Sequence, residues 1–549
     1  MIADGRIEKS KEAKGTFLLP SLVDLSLDGK LCLFDTKTTP GAATVNYRLT
    51  KGFSLWHPVP KAERSEYGES FNQVTLWNSA PSAASKASPC GSFAYEFRLF
   101  NTGFGARAFV KPQSRASQSN PAYASEGDFV PVHWSMGLRL QDGARSSECI
   151  ANNYEEPYVR LDCHQVTDAM MTPMTIQVAG KIQGEGLTKK NRTARGPSHM
   201  ALLQSSGPSF VRSTVVASSS SSTKKNSLQT QLVLVSRGEA PFEPSSEDTL
   251  GVVPSPIDSK TLTTPTTWHV VIFGGSLRQL VESSHLVPLM CDPPPSNKPA
   301  WIDSRWIPHG KLIRITKFTT KDSKAIIDWT KANNFPLVHF DAGWYGNEYD
   351  KKSSAKQVLA SFADKLDMAK VAKYANDNGR RLCVYVNELA LRDTPELTRI
   401  YSNWGVSGIK FGFVEVGDPR AMRILHQRII AFGDAGLFVN VHDSYRPRGL
   451  TRTFPFLVTQ EGVRGEERKP DALHHTILPF VRTLQGSADY TPRYLGGGSV
   501  THNTQIDGAG VFQKAPMNHN THILLLHYDC VNFSFVAVVA VVFQRSPLY

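Results

Sequence analysis

The chain has 549 residues, 61 Lys and Arg against 49 Asp and Glu, and a formal net charge of +12. Hydrophobic residues make up 40% and charged residues 20%, which excludes a wholly disordered or fibrous chain, and the length allows several domains of about 150 residues. The longest apolar run, Val531 to Phe543, is shorter than the roughly 18 residues a bilayer requires and carries Asn532 and Ser534, so no membrane span is expected.

The opening residues, MIADGRIEKSKEAKG, are charged and show no signal peptide, which leaves the compartment unassigned. From Leu22 to about Cys163 the chain reads as short strands broken by Pro, Gly, Ser and Asn clusters, among them KLCLFD (30–35), SFAYEFRLF (92–100) and ARAFV (106–110). An antiparallel sandwich is the natural expectation. The seven cysteines include no CxxC pair, which argues against a structural zinc site or a dense disulfide framework.

Residues 166–230 differ in composition, with eight basic residues against Asp168 and Glu185 and five consecutive serines at Ser218–Ser222. Such a stretch buries little apolar surface against its ordering entropy and is expected to be a disordered insertion. It alone supplies +6 of the net +12, so the basic charge is not spread over the body of the chain. Nucleic-acid binding through this insertion is the remaining reading of that charge, and no nucleic-acid partner is expected. Strand-like sequence returns at 228–235 and 267–274, and a Pro-rich passage from Pro288 to Pro299 reads as a linker.

From Trp301 the rhythm becomes β/α. KLIRITKF (311–318) is the first strand, and a helix follows, capped by Asp322 or Ser323 and carrying Ala325, Ile326, Trp329 and Ala332 at helical spacing. PLVHF (336–340) is the second strand, and a helix begins near Asp367 and stops at Asn378-Gly379. RLCVYV (381–386), GIKFGFV (408–414) and LFVNV (437–441) are strands three, four and five, with a helix opening at Asp418-Pro419 between the last two. This alternation predicts a parallel α/β barrel. An open doubly wound sheet would carry a Gly-rich phosphate loop after its first strand, and none is present.

In a barrel the C-terminal strand ends face the active site. Those ends hold Asp341, Glu388, Gly412 with Glu415, and His442-Asp443, followed by the loop TQEGVRGEERKPD (459–471) with Glu461, Glu466 and Glu467. So many carboxylates around one mouth need compensation by protonation or by a bound cation. Oxygen-rich clusters suit Ca²⁺, and a carboxylic acid of raised pKa suits proton donation to a leaving group. Trp344 and Tyr345 lie nearby in DAGWYG, as the apolar face of a sugar needs, so the pattern points to glycoside hydrolysis. Each residue also has a plainer role. Trp344 reads equally as packing, His442 as a loop-fixing histidine, His475 as solvated surface, and Arg446, Arg452 and Arg464 as counter-charges to the acids.

The motifs HDSYRPRGLTRTFP (442–455), TQEGVRGEE (459–467), PFVRTLQGSADYTP (479–492), FDAGWYG (340–346) and WIPHGK (306–311) together resemble glycoside hydrolase family 97. SLDGKL (26–31), FRLFNTGFGARAF (97–109) and TTWHVVIFGGSLRQLV (266–281) extend the resemblance to the N-terminal half. The resemblance implies an α-glucosidase or α-galactosidase acting on an oligosaccharide or α-glycoside. It implies an N-terminal β-sandwich over 1–290 followed by a catalytic (β/α)8 TIM-type barrel over 291–549, with the family's C-terminal β-domain missing.

Carried over by position, Glu467 is the general acid, Glu388 and Asp443 assist water, and Glu155, Asp443, Glu461 and Glu467 are Ca²⁺ ligands. Glu156 is the alternative to Glu155. Asp341, Trp344, His475 and Arg464 are the expected substrate contacts. Asp443 stands where the inverting branch usually has Glu, one methylene longer. Retaining members carry an aspartate nucleophile on strand four, where this chain has Gly412, so inversion is expected. A non-catalytic, decayed member of the same family is the alternative.

Overall fold

The structure is a computed structural model. It describes residues 24–27, 30–33, 45–58, 66–78, 92–111, 133–140, 147–153, 155–166, 170–178, 199–205, 213–221, 228–237, 264–265, 268–303, 306–307, 310–414, 419–442 and 445–491. Asp443, Glu415 and the apolar stretch 522–542 lie outside these residues.

The N-terminal strands pair into one 15-stranded sheet, antiparallel at every described pairing. Trp268–Gly274 lies between His199–Ser205 and Gly103–Lys111, and its WHVVIFG sequence is buried almost throughout. A strand buried on both faces loses the alternation of apolar and polar residues, which is why this segment reads as a continuous apolar run.

The expectation of a disordered insertion over 166–230 is corrected where residues there are described. Met170–Gln177, His199–Ser205 and Ser213–Ser221 are strands, and Met174, Ile176, Ala201, Leu202 and Leu203 are buried. Averaged composition hid short apolar runs between polar stretches of sequence. Even the serines of Ser218–Ser221 pair in register with Leu228–Gln231, because the ladder uses backbone groups that every residue but proline supplies.

The second sheet has six parallel strands in sequence order: β1 (Leu312–Ile315), β2 (Leu337–Phe340), β3 (Arg381–Asn387), β4 (Gly408–Gly412), β5 (Phe438–Val441) and β6 (Leu457–Gln460). The crossovers carry α1 (Thr320–Ala332), α2 (Met368–Asp377), α3 (Thr394–Trp404) and α4 (Pro419–Asp434). Helix α1 is capped not by Asp322 or Ser323 but by Thr319, whose Oγ1 accepts the Asp322 N–H while Asp322 sits in the first turn. Asp367 caps α2 through the Lys370 N–H. Helix α3, not anticipated from the sequence, carries Pro395 in its first turn, where proline is well tolerated.

Strand periodicity sorts the parallel sheet into two faces. Val338, Phe340, Leu382, Val384, Val386, Ile409, Phe411, Val439 and Val441 join the helices in the main core. The opposite face begins with a small apolar cluster of Leu337, Cys383 and Phe438. Two residues further along it becomes polar, with His339, Tyr385, Lys410 and Asn440, and it ends at the acids of the strand ends.

The Pro-rich passage is not a free linker. Leu286–Met290 is a buried helical turn against the antiparallel sheet. Arg452 donates to the carbonyls of Leu289 (2.9 Å), Cys291 (2.6 Å) and Leu55 (2.7 Å) and to Ser54 Oγ (2.8 Å). Arg446 donates to the Thr172 carbonyl and to Asn152 Oδ1, both at 2.9 Å. These two arginines fasten the parallel sheet to the antiparallel one.

Candidate active site

Glu461 follows β6 with 2% exposure, and its Oε1 lies 2.9 Å from His442 Nε2, just beyond β5. Burial pushes its carboxyl above the ordinary range, with His442 opposing the shift. Glu155 comes from the other sheet. It sits on the hairpin between Glu148–Asn152 and Val159–Asp162, which a Cys149–Cys163 disulfide closes. Burial raises its carboxyl too, while Arg468 Nε at 2.8 Å pulls it down.

Glu467 is exposed on the short turn Glu466–Arg468. Carboxylate oxygens of Glu155, Glu461 and Glu467 all lie within 4.8 Å of one another. Three of the four acids expected to share a cation are therefore together, and Asp443 lies outside the described residues. The donor set fits a hard cation, since three carboxylates, two of them largely buried, converge with His442 and Arg468 as their neighbours.

Glu388 stands at the end of β3, where its N–H bonds to the Gly412 carbonyl at 2.8 Å and its carboxylate pairs with the buried Arg428 of α4. Asp341 follows β2 and pairs with Arg314 at 2.9 Å. Burial would raise the Asp341 carboxyl, but His339, Arg314 and Lys410 together hold it below the usual range. Gly412 is covered by a neighbour. A Cβ there would collide with the Tyr385 phenol, so no side chain fits at this position without moving Tyr385.

Three expected substrate contacts have other partners. Trp344 is fully buried; its Nε1 donates to the Tyr385 carbonyl at 2.8 Å and its ring packs on Tyr345, Tyr401 and Trp404, so it is core. The packing role, the plainer reading of Trp344, is the one its surroundings support. His475 has Nε2 on Glu466 at 2.8 Å and Nδ1 on Tyr490 at 3.3 Å, so both ring nitrogens are engaged. Arg464 donates to the backbone carbonyls of Glu155 (2.8 Å) and Arg468 (2.9 Å) and thereby locates the Glu155 loop.

Sequence reasoning missed the polar layer beneath the mouth. Lys410 Nζ and Asn440 Nδ2 both reach Asp489 Oδ2, at 2.8 and 2.7 Å, and His339 lies beside them with 1% exposure. A lone lysine inside the apolar strand GIKFG was the available signal, because an unpaired charge is not tolerated there.

The site thus joins carboxylates at the C-terminal ends of a parallel β/α sheet to an acid carried by the large antiparallel sheet. Residues 309–463 match the family model described as Glycoside hydrolase 97, which bears out the resemblance of the motifs. The chain is 29% identical over 245 residues to the probable retaining alpha-galactosidase of Streptomyces bingchenggensis, covering 42% of this chain and 36% of that protein. It is 25% identical over 185 residues to the retaining alpha-galactosidase of Bacteroides thetaiotaomicron, covering 32% and 27%. The matched part thus spans about a third of the length of these curated relatives.

A glycoside hydrolase family 97 enzyme from Pseudoalteromonas sp. strain K8, solved with acarbose, superposes with a TM-score of 0.60 at 17% identity, over 86% of this chain and 69% of that one. A beta-arabinopyranosidase superposes with a TM-score of 0.54 at 14% identity, over 85% and 69%. These likenesses establish a shared fold. No helix among the described residues is long and apolar enough to cross a membrane.

Proposed function

We propose that the chain hydrolyses an α-glycosidic bond of an oligosaccharide or α-glycoside by a general acid/base mechanism with inversion. The observation that carries this reading is the meeting of Glu155, Glu461 and Glu467 within 4.8 Å at the strand ends. Glu467, the exposed member, gives its proton to the glycosidic oxygen as that bond breaks. Water attacks the anomeric carbon from the other side and loses its proton to Glu388, with Asp443 as the second expected helper. Arg428 fixes the Glu388 carboxylate in place.

Gly412 offers no carboxylate, and Tyr385 fills the space above it, which supports direct attack by water over a glycosyl-enzyme intermediate. Inversion needs about 6.5–9.5 Å between the two carboxyl groups, retention about 5–5.5 Å. The curated relatives are named retaining α-galactosidases, so the anomer first released is the deciding measurement. Release of a β-anomer from an aryl α-glycoside is the expected result; an α-anomer sinks the inverting mechanism.

Ca²⁺ would be held by Glu155, Glu461 and Glu467, with Asp443 as the fourth expected ligand. When bound, it would supply positive charge that lets these acids coexist beside the scissile bond. The wider architecture that fits this chemistry is a β-sandwich followed by a (β/α)8 barrel, with the six parallel strands as its first part. α-Glucosides are the substrate read from the motifs, and α-galactosides the alternative favoured by the relatives' names. Hydrolysis of p-nitrophenyl α-glucoside and α-galactoside, with and without chelator, separates these. A Glu467→Gln chain should be inactive on both. The pairing of Glu388 with Arg428 favours a second reading, a decayed binding protein; sugar binding without turnover by the unaltered chain would establish it.

A further inference from the structure

We propose that Phe413 and Tyr349 form an aromatic platform for the leaving-group sugar of an α-linked oligosaccharide, an inference that rests on the glycosidase reading above. Phe413 is the first residue after β4, adjacent to Gly412, whose carbonyl accepts the Glu388 N–H. Tyr349 comes from the loop that joins β2 to α2. Phe413 therefore lies at the C-terminal end of its strand, next to the residue that Glu388 bonds, and Tyr349 lies against it.

The two rings meet edge to face with centroids 5.5 Å apart, yet they are 51% (Phe413) and 69% (Tyr349) exposed. Trp344 and Tyr345, the aromatics that the sequence nominated for this task, are buried.

The backbone explains how Phe413 comes to be outside. Strand alternation would send it after Phe411 into the helix-side core, which Phe411 and Val414 both join. At Phe413 φ is +51°, a region that bulky residues rarely adopt, and the alternation breaks there. Folding alone would favour glycine at such a position and a polar side chain at such exposure. A strained aromatic held in water beside an active site is the kind of outlier that function explains.

A pyranose presents a face of C–H groups that packs on an aromatic ring while its hydroxyls stay solvated. The cleaved sugar belongs between the buried acids. The exposed pair at the rim suits the sugar beyond the scissile bond.

The test compares maltose and melibiose with α-glucosyl and α-galactosyl fluoride, whose leaving group is a single atom and needs no platform. In Phe413→Ala and Tyr349→Ala, kcat/KM for the disaccharide should fall roughly tenfold further than for the matching fluoride, and Phe413→Trp should restore it. Equal losses on both substrates, or no loss on the disaccharide, overturn the platform. A chain that hydrolyses none of the four refutes the glycosidase reading instead. Calorimetry then decides the platform, because it needs no turnover. Maltose or melibiose should bind a Glu467→Gln chain more tightly than glucose or galactose, and Phe413→Ala should remove the difference. Absence of any such difference overturns the proposal.

Discussion

Lys410 and Asp489 make the most exacting test of the energetics beneath the site. Their 2.8 Å pair is 8% exposed at Lys410 and 7% at Asp489, and Asn440 supplies a second donor to the same carboxylate oxygen. Burial alone would drive the lysine toward neutrality, yet Asp489 and Glu461 hold its pKa above the ordinary value. Burial likewise opposes ionisation of Asp489, but Lys410 and Asn440 hold its carboxyl far below the usual range. Replacing Lys410 by Met leaves a buried carboxylate with only Asn440, and the loss should be about 3–5 kcal/mol. The double change Lys410→Met/Asp489→Leu should cost much less than the two single changes summed, since no stranded charge remains. The pH dependence follows in sign. The depressed Asp489 contributes stability above its unfolded pKa of about 3.9 and loses it only as pH falls below that value. The raised Lys410 contributes fully below about 10.4 and loses its share as pH rises through the folded value. Urea unfolding followed by tryptophan fluorescence should therefore show a pair contribution that is flat from about pH 4 to 10. A Lys410→Met loss below about 1 kcal/mol, the scale of an exposed pair, refutes the reasoning.

His339 is 1% exposed and burial pulls its pKa down to about 3, so the folded protein keeps it neutral while the unfolded chain takes up a proton near pH 6.5. Stability should fall by about 1.4 kcal/mol per pH unit on its account as pH drops from 6.5 toward 3, and His339→Gln should remove that slope from urea titrations at pH 6.5 and 4.5. Reducing the Cys149–Cys163 disulfide, 14 residues apart, should cost about 3 kcal/mol and weaken any response to Ca²⁺, because Glu155 lies within the closed loop. The readouts are the urea midpoint with and without dithiothreitol and a Ca²⁺ titration of thermal stability; a Ca²⁺ response unchanged by reduction contradicts this. Gly412→Asp should destabilise by about 1–3 kcal/mol because its Cβ meets the Tyr385 phenol, and adding Tyr385→Ala should recover part of the loss in thermal melts.

Legibility in the sequence tracked the range of the interactions. Parallel strands β1 to β5 and the start of α2 announce themselves through apolar runs and a local cap, and they appear where local signals place them. Strand β6 stayed hidden because its LVTQ sequence is short and half polar, although its buried Thr459 and Gln460 face protein. Among the strands within 166–230, His199–Ser205 stayed hidden because one of its partners lies far along the chain, Met200 pairing with Phe273. At the site, Glu461 and Glu467 were legible as carboxylates of one loop, whereas Glu155 came from the family resemblance alone. Which aromatics face outward was not legible. That depends on a loop folding back over Trp344 and on one left-handed residue at Phe413.

The acid cluster also explains why the two sheets are fastened so firmly. Glu155 belongs to the antiparallel sheet, and Glu461 and Glu467 to the parallel one, so the spacing of the cluster is a property of the interface. A shift of about 1 Å between the sheets would degrade such a constellation. The fastening is built from guanidinium groups on backbone carbonyls: Arg446 on Thr172, Arg452 on Leu55 and Leu289, and Arg464 on Glu155 itself. Backbone carbonyls cannot rotate away as side chains do, so each contact fixes chain position. The net charge of +12 gives no hint of this, because these arginines act one at a time as multiple donors, Arg446 and Arg452 buried and Arg464 half-buried. Arg446→Lys and Arg452→Lys keep the charge and lose the fork of donors. They should impair any Ca²⁺-dependent activity more than they lower thermal stability, measured by chelator-sensitive hydrolysis beside melting curves. Equal effects on both would reduce these arginines to general packing.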